Sequence, residues 1–381
     1  MQGLFTSVLL TSVFFAFGVN AQESAPAKPA NGSTALVHPV TSVSLSPDGK
    51  LLAIAKRTSI VSLWDTASGK LVREIPGYTW FMPLSRFGGN GIRLQRHIDA
   101  IAFSREGNFL VTCHGDGVVE FWDTTEWKSV RRFDATGDAH RRGLWDQRPD
   151  YGVWSLAISK DAKWLVTGSK STTQLWDAAR KKHVLTANVS AVGGVALSAD
   201  GNTLVAGAQL WNLAKTKELF QLGVERGLWN DALPFAAKDA PAVVTGSQVN
   251  SAMAVSDDGT RLAIYGYRDS GRADDTKKKF LRTMEVASGE SMRNFEVDDA
   301  TSINCLVLTK DNKLLIGGVD KGARLWDAAT GRQLAILQGY SGTIQALAVS
   351  ADSKLLATGS ADGTARLWDL ATGKELRVFA K

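Results

Sequence analysis

Residues Ile344–Ala380 read IQALAVSADSKLLATGSADGTARLWDLATGKELRVFA, and this stretch decides the fold. From Ile344 to Ser350 apolar residues alternate with small ones, ADSK turns the chain, LLATGS runs back, and Ala361 to Asp369 (ADGTARLWD) forms a third run ending in Trp-Asp. After LATGK a fourth run, ELRVFA, closes the unit. Short period-two apolar runs divided by Gly, Asp, Ser and Asn mark consecutive hairpins, since those residues accept tight-turn dihedrals and the apolar ones suit a half-buried pleat. The unit predicts four antiparallel strands.

The unit recurs seven times along the 381 residues, and its third run ends at Trp64-Asp65, Trp122-Asp123, Trp176-Asp177, Trp211-Asn212, Met284-Glu285, Trp326-Asp327 and Trp368-Asp369. Two of the intervals are 42 residues, the length expected of one four-stranded unit, and the longer intervals contain insertions. SLSPDGKLLAIAK, TKDNKLLIGGVDKGARLWD and VSADSKLLATGSADGTARLWD lie directly on one another. In these residues the chain resembles the WD-repeat β-propeller family, over about residues 36 to 381.

The resemblance implies an all-β, seven-bladed β-propeller of four-stranded antiparallel blades, one domain over residues 38–381. It implies structural roles for Trp64, Asp65, Trp122, Asp123, Trp176, Asp177, Trp211, Trp326, Asp327, Trp368 and Asp369, and for Asp116, Asp320 and Asp362 in a turn position. The family's Gly-His dipeptide is absent, with Gly339-Tyr340 in its place in the seventh repeat, so its polar network between strands is expected to be incomplete. Physical reasoning agrees with the architecture. A lone four-stranded sheet cannot bury both faces, but sheets set radially cover one another and leave only short protected edges.

Ahead of the repeats, Leu4 to Val19 is uncharged and apolar, too short for the roughly 20 residues of a bilayer span. Val19-Asn20-Ala21 puts small residues at the positions that precede signal cleavage, although Met1-Gln2-Gly3 carries no Lys or Arg. Residues 1–21 are therefore read as a secretory signal, 22–37 as a flexible Pro- and Ser-containing leader, and the mature chain as periplasmic or secreted, with no membrane span after cleavage. An uncleaved short anchor is the alternative. Two cysteines, Cys113 and Cys305, are too few for a disulfide framework and are expected as buried thiols.

Extra sequence falls at Pro76–Arg96, Asp134–Asp150, Gln221–Ser247 and Arg268–Lys279. Three of these join a fourth strand to the next first strand and one joins a second strand to a third, connections that leave an antiparallel blade at the same end. Insertions gathered on one face of a repeat array often mark its binding face. They carry Trp80, Phe81, Arg86, Arg93, Arg141, Arg142, Trp145, Arg226, Trp229 and Arg268, and two share the phrase Arg-Gly-Leu-Trp. Trp and Arg are enriched at interface hot spots because they combine contact area with a polar handle, so these ten are the candidate partner-binding residues. The competing reading is that the aromatics pin long loops onto the propeller.

A net charge of +6 does not point to nucleic acid, because the four insertions carry +3, −1, −1 and +2 rather than one basic field. The sequence holds no nucleophile elbow, phosphate loop or dinucleotide fingerprint, and its five histidines lack metal-binding spacing. Neither a cofactor nor a metal is expected. The residues read best as a non-catalytic exported scaffold for a protein or peptide partner. The alternatives are a binder of an acidic glycan or envelope polymer and, further off, a hydrolase or lactonase built in the channel.

Overall fold

The computed structural model describes residues 37–77, 79–82, 92–95, 97–135, 153–169, 172–187, 194–206, 209–213, 250–268, 278–287, 291–298 and 301–379. Residues 1–21, read from the sequence as a signal, and nearly all of the 22–37 segment read as a leader lie outside them. The elements are strands throughout. No helix among the described residues is long and apolar enough to cross a membrane.

The first blade is β1 (Val40–Leu45), β2 (Leu51–Lys56), β3 (Ile60–Asp65) and β4 (Leu71–Pro76), hydrogen-bonded in chain order. A separate hairpin follows, β5 (Thr79–Met82) with β6 (Ile92–Gln95). The second blade is β7 (Ile98–Phe103), β8 (Phe109–His114), β9 (Val118–Asp123) and β10 (Ser129–Asp134), and the third is β11 (Ser155–Ile158), β12 (Trp164–Gly168), β13 (Thr173–Asp177) and β14 (Lys182–Ala187). Among the described residues the fourth blade has three strands, β15 (Val195–Leu197), β16 (Thr203–Ala206) and β17 (Gln209–Asn212). The fifth is β18 (Asn250–Val255), β19 (Arg261–Arg268), β20 (Lys278–Glu285) and β21 (Ser291–Phe295). Residues 305–379 form one six-stranded sheet: β22 (Cys305–Leu308), β23 (Leu314–Asp327), β24 (Gln333–Val349), β25 (Leu355–Ser360), β26 (Ala365–Asp369) and β27 (Glu375–Phe379).

The architecture is an all-β propeller, but the expectation of seven four-stranded blades is wrong. Five blades stand round an axis, four of them four-stranded, and the stretch read as a sixth and a seventh blade is a single continuous sheet. The cause lies in β24, 17 residues long, which pairs with β23 through its first half and with β25 through its second. No insertion separates the two repeats here. Gly339 takes φ +120° and a Cβ on Gly342 would stand 2.7 Å from the Asp362 amide nitrogen, so glycine lets the strand run on where the sequence suggested a break.

Within each blade burial falls from the inside outward. VTSVSL of β1 is buried at every position, whereas LVREIP of β4 is exposed at all but Ile75. Small polar residues on the innermost strands stitch neighbouring blades. Thr41 Oγ1 donates to the Ile98 carbonyl at 2.9 Å, and the amides of Ile101 and Phe103 donate to Ser42 Oγ and Ser44 Oγ at 3.0 and 2.9 Å. A buried Ser or Thr is tolerated because its hydroxyl is satisfied. Aromatic rings fill the outer clefts: Trp176 stands 5.2 Å from Phe133 of the preceding blade, and Trp326, 0% exposed, meets Phe295 edge-on at 6.4 Å.

The ring closes where the carboxy-terminal sheet meets the first blade. β1 packs against β24 and β25, Trp64 meets Phe379 edge-on at 5.8 Å, and Arg377 Nε donates to the Thr66 carbonyl at 3.0 Å. Deleting a buried Trp removes its transfer energy and leaves a cavity. Trp326→Ala is expected to lower unfolding free energy by about 3–5 kcal/mol in urea titration, while Leu376→Ala, on the exposed outer strand, stays within about 0.5 kcal/mol.

Candidate functional site

The strand order fixes two unlike ends. First-to-second and third-to-fourth strand turns leave at one end. Second-to-third turns and the connections between blades leave at the other, where the described residues flanking Pro76–Arg96, Asp134–Asp150 and Arg268–Lys279 lie, while Gln221–Ser247 falls outside the described residues. The β5–β6 hairpin stands there directly after β4, with Trp80 opposite Leu94 and Phe81 opposite Arg93. β19 and β20 reach the same end and continue as a two-stranded arm beyond β18, whose last partner is Gly266; the extra pairs are Tyr267 with Lys279 and Arg268 with Lys278. Lys279 Nζ donates to the Thr301 carbonyl at 2.8 Å and the Tyr265 hydroxyl to the same oxygen at 3.0 Å, which anchors the arm's base.

Of the ten candidate partner-binding residues, Trp80 and Phe81 sit on β5, Arg93 on β6 and Arg268 at the end of β19. The backbone pairing brings Phe81 and Arg93 together. Arg86, Arg141, Arg142, Trp145, Arg226 and Trp229 lie outside the described residues.

The third-strand pairs divide by role. Trp64, Trp122, Trp176, Trp326 and Trp368 sit on β3, β9, β13, β23 and β26, and Trp211 is placed on β17 opposite Leu204. The Asp that follows caps the next turn at the opposite end. Asp65 Oδ1 accepts the Ser68 amide at 2.6 Å, Asp123 those of Thr125 and Glu126 at 2.8 Å each, Asp177 that of Arg180 at 2.9 Å, Asp327 that of Thr330 at 2.6 Å and Asp369 that of Thr372 at 2.7 Å. The Thr330 hydroxyl and amide hold the Asp327 carboxyl below its usual range. Asp320 Oδ1 accepts the Thr343 hydroxyl at 2.9 Å, Asp362 Oδ2 the Ser341 amide at 2.9 Å, and Asp116 Oδ1 the Val118 amide at 3.3 Å.

One network was underrated by the sequence. Trp368 Nε1 donates to Thr358 Oγ1 at 3.0 Å, and Tyr340, at the site of the missing histidine, hydrogen-bonds the same Thr358 hydroxyl. Burial pushes the Tyr340 phenol well up, keeping it neutral. Trp122 with Thr112 at 3.2 Å and Trp176 with Thr167 at 3.1 Å repeat the indole–threonine bond. A Thr nine or ten residues before each of these Trp residues was the available signal.

Two histidine–acid pairs occur among the described residues. His97 Nε2 lies 3.3 Å from Asp99 at the insertion end, with its side chain 43% exposed. The other, His114 with Glu120 at 3.5 Å, is out of reach of any substrate, since both side chains are at most 1% exposed. Glu120 Oε1 also accepts from Ser129 Oγ at 2.9 Å and Arg132 Nε at 2.8 Å. No group of three or more His, Cys, Asp or Glu suited to a metal occurs among the described residues. Cys113 and Cys305 are buried outside any disulfide, and burial pushes the Cys305 thiol up to about 12.

With this geometry in place, the comparisons fall on the same residues. The WD domain, G-beta repeat (WD40) family matches at residues 33–65, 89–123, 147–177, 289–327 and 331–369, so WD40 repeats are found in five places of a β-propeller chain. Residues 178–288, which hold the three-stranded blade and Met284-Glu285, fall between the third match and the fourth. Over 156 residues the chain is 38% identical to "Small ribosomal subunit protein RACK1y" of Oryza sativa subsp. japonica, covering 39% of this chain and 38% of that protein. It is 27% identical over 123 residues to "Cell division cycle 20.1, cofactor of APC complex" of Arabidopsis thaliana, covering 23% of this chain and 27% of that one. It is 29% identical over 182 residues to "Telomerase protein component 1" of Rattus norvegicus, covering 45% of this chain and 6% of that protein. The chain thus spans well under half the length of each of these relatives.

The Glu120 network makes a pH prediction. Burial acts to raise the Glu120 pKa, but hydrogen bonds from His114, Arg132 and Ser129 outweigh it and the carboxyl lies below its usual value. A depressed folded-state pKa contributes stability above the unfolded value of about 4.3 that is lost as pH falls through the folded value. In Glu120→Gln, the loss of unfolding free energy between about pH 5 and pH 2 is therefore expected to be smaller than in wild type, as read by urea titration at each pH.

Proposed function

We propose that this chain is a non-catalytic interaction scaffold, exported to the periplasm or beyond after cleavage of residues 1–21, that presents its insertion-bearing end to a protein or peptide partner. The observation that carries the reading is topological: the β5–β6 hairpin and the β19–β20 arm rise from the same end of the ring, outside the strands that form the core. Aromatic and basic positions occur together on them, with Trp80, Phe81 and Arg93 on one and Tyr267, Arg268, Lys278 and Lys279 on the other. Aromatic anchors beside arginines are the composition of energetic hot spots. The relatives are consistent with it, since their names assign one to a ribosomal subunit, one to the APC complex and one to telomerase. On this reading Arg86, Arg141, Arg142, Trp145, Arg226 and Trp229 extend the same surface.

Basic positions at this end also suit an acidic glycan or envelope polymer, which salt dependence separates from a protein partner, because contacts to a polyanion release counterions and weaken steeply with salt. The test is affinity capture from the native envelope with wild type, Trp80→Ala/Phe81→Ala and Trp145→Ala/Trp229→Ala, followed by mass spectrometry. One protein recovered by wild type and lost by both variants, with melting temperatures within a few degrees of wild type, is the expected result. Equal recovery by all three removes the insertion end from consideration, and a large drop in melting temperature assigns the aromatics to loop pinning.

A further inference from the structure

The two sides of the first blade are fastened differently. Toward the second blade, the hydroxyls of Thr41, Ser42 and Ser44 bond backbone groups of Ile98, Ile101 and Phe103, and the Ile98 amide donates to the Thr58 carbonyl at 3.0 Å. Toward the last sheet, register places Ala346 and Ala348 of β24 where β1 has Ser42 and Ser44, and both alanines share a cluster with Val40, Val43 and Leu45. A methyl in place of a hydroxyl contributes packing but no hydrogen bond. The first blade and the last sheet are not consecutive in the chain, and among the described residues no strand of one pairs with a strand of the other.

The seam also holds a buried donor with nothing to accept its proton. In the second blade, the third blade and β26 the third-strand indole donates to Thr112, Thr167 and Thr358. Pairing register puts Ile54 at that position of the first blade, and among the described residues Trp64 Nε1, buried in the closed ring, has no hydrogen-bond partner. An unmet buried N–H costs free energy, and water satisfies it once the cleft opens. Trp326 Nε1 is in the same state, with Gly317 at the threonine position, but there the fifth blade and the last sheet are joined by Asp298 with Arg324 at 2.9 Å and by Asp258 with Asn312 Nδ2 at 3.0 Å. At the seam Arg377 reaches across, its Nε donating to the Thr66 carbonyl at 3.0 Å and its Nη2 to the Ala67 carbonyl. Gly69 admits this side chain, since a Cβ there would stand 3.1 Å from Arg377 Cδ.

We propose that the ring opens at this seam, with Arg377 as its latch, and that the first two blades swing out as one unit together with the β5–β6 hairpin. The hydroxyl bonds to the second blade hold that unit together, whereas the apolar inner layer of the seam parts without breaking a strand ladder. The hairpin lies in the chain between β4 and β7, so it travels with the blades on either side of it. Opening therefore shifts Trp80, Phe81 and Arg93 relative to the β19–β20 arm, which stays with the fifth blade. The device stands on the seam alone and not on the identity of a partner.

Thiol modification of the full chain under native conditions, with mass spectrometry reading each cysteine, tests the proposal. Val43→Cys puts a small thiol into the seam, while Cys113, between the second and third blades, and Cys305, within the carboxy-terminal sheet, are buried internal references. Iodoacetamide is expected to modify position 43 at least about tenfold faster than either reference, because local opening is cheaper than global unfolding. Adding Arg377→Ala should speed position 43 by a further factor of about ten, the effect of losing hydrogen bonds from a charged donor, and leave Cys113 and Cys305 unchanged. Adding Ala346→Ser/Ala348→Ser instead, which writes the hydroxyls of β1 into β24, should slow position 43. Equal rates at the three positions overturn the proposal, as does a position 43 that neither addition moves. Arg377→Ala speeding all three cysteines alike also overturns it, since Arg377 is then a support of the whole fold and not a latch.

Discussion

Everything in this structure depends on the contact between β1 and the sheet that contains β24 and β25. A blade alone exposes two faces of a sheet, and each is dry only because a neighbour covers it, so an open ring would leave two apolar faces in water. The closing contact is close-packed. A Cβ on Gly359 would stand 2.5 Å from Val40 Cγ1, and the cluster around Val40, Val43, Leu52 and Ile54 includes Ala346, Ala348, Ala357 and Phe379 from the carboxy-terminal sheet. Small residues let the two inner layers approach, and Trp64 against Phe379 seals the wider outer cleft. Residues some three hundred positions apart thus share one core, and the stability of the first blade cannot be separated from that of the last sheet.

The strand pattern was legible because a half-buried pleat forces period-two alternation and because turns need Gly, Asp and Asn. Ser-x-Asp turns make the point. Ser46, Ser159, Ser198, Ser256 and Ser350 each give a hydroxyl proton to the Asp two residues on, and the next residue takes a positive φ, whether glycine, as at Gly49 and Gly201, or Ala162 and Ser353. The blade count was not legible. Alternation records which face a side chain occupies and is blind to whether the backbone leaves the sheet, so Gly339-Tyr340-Ser341-Gly342 read as a boundary although β24 passes straight through it. Spacing between Trp-Asp pairs counts repeats of sequence, and here two repeats share one sheet.

The candidate site was legible to the same degree. Strand order alone assigns all four insertions to one end, a consequence of antiparallel pairing that needs no coordinates. Side-chain partnerships were not. Tyr340 differs in size and chemistry from the histidine whose place it takes, yet its hydroxyl reaches Thr358 because Gly339 and Gly342 let β24 cross at close range. Arg105 gave a faint sign, as a base at the position where the first-blade and fourth-blade turns have Pro47 and Ala199. Its partner lies 152 positions away on the far side of an axis that no local pattern reveals.

The two ends of the ring consequently differ in how they are built. At the insertion end, the length and composition of the inserted sequence vary from blade to blade. At the opposite end the first-to-second strand turns are short and hydroxyl-capped, and from the third repeat to the last they are bonded in series through the Lys160 and Ala199 amides, the Asn312 side chain and the Lys310 amide. A ring whose closure already constrains every blade joins its two ends through the buried inner strands between them, so neither end can move independently of the other.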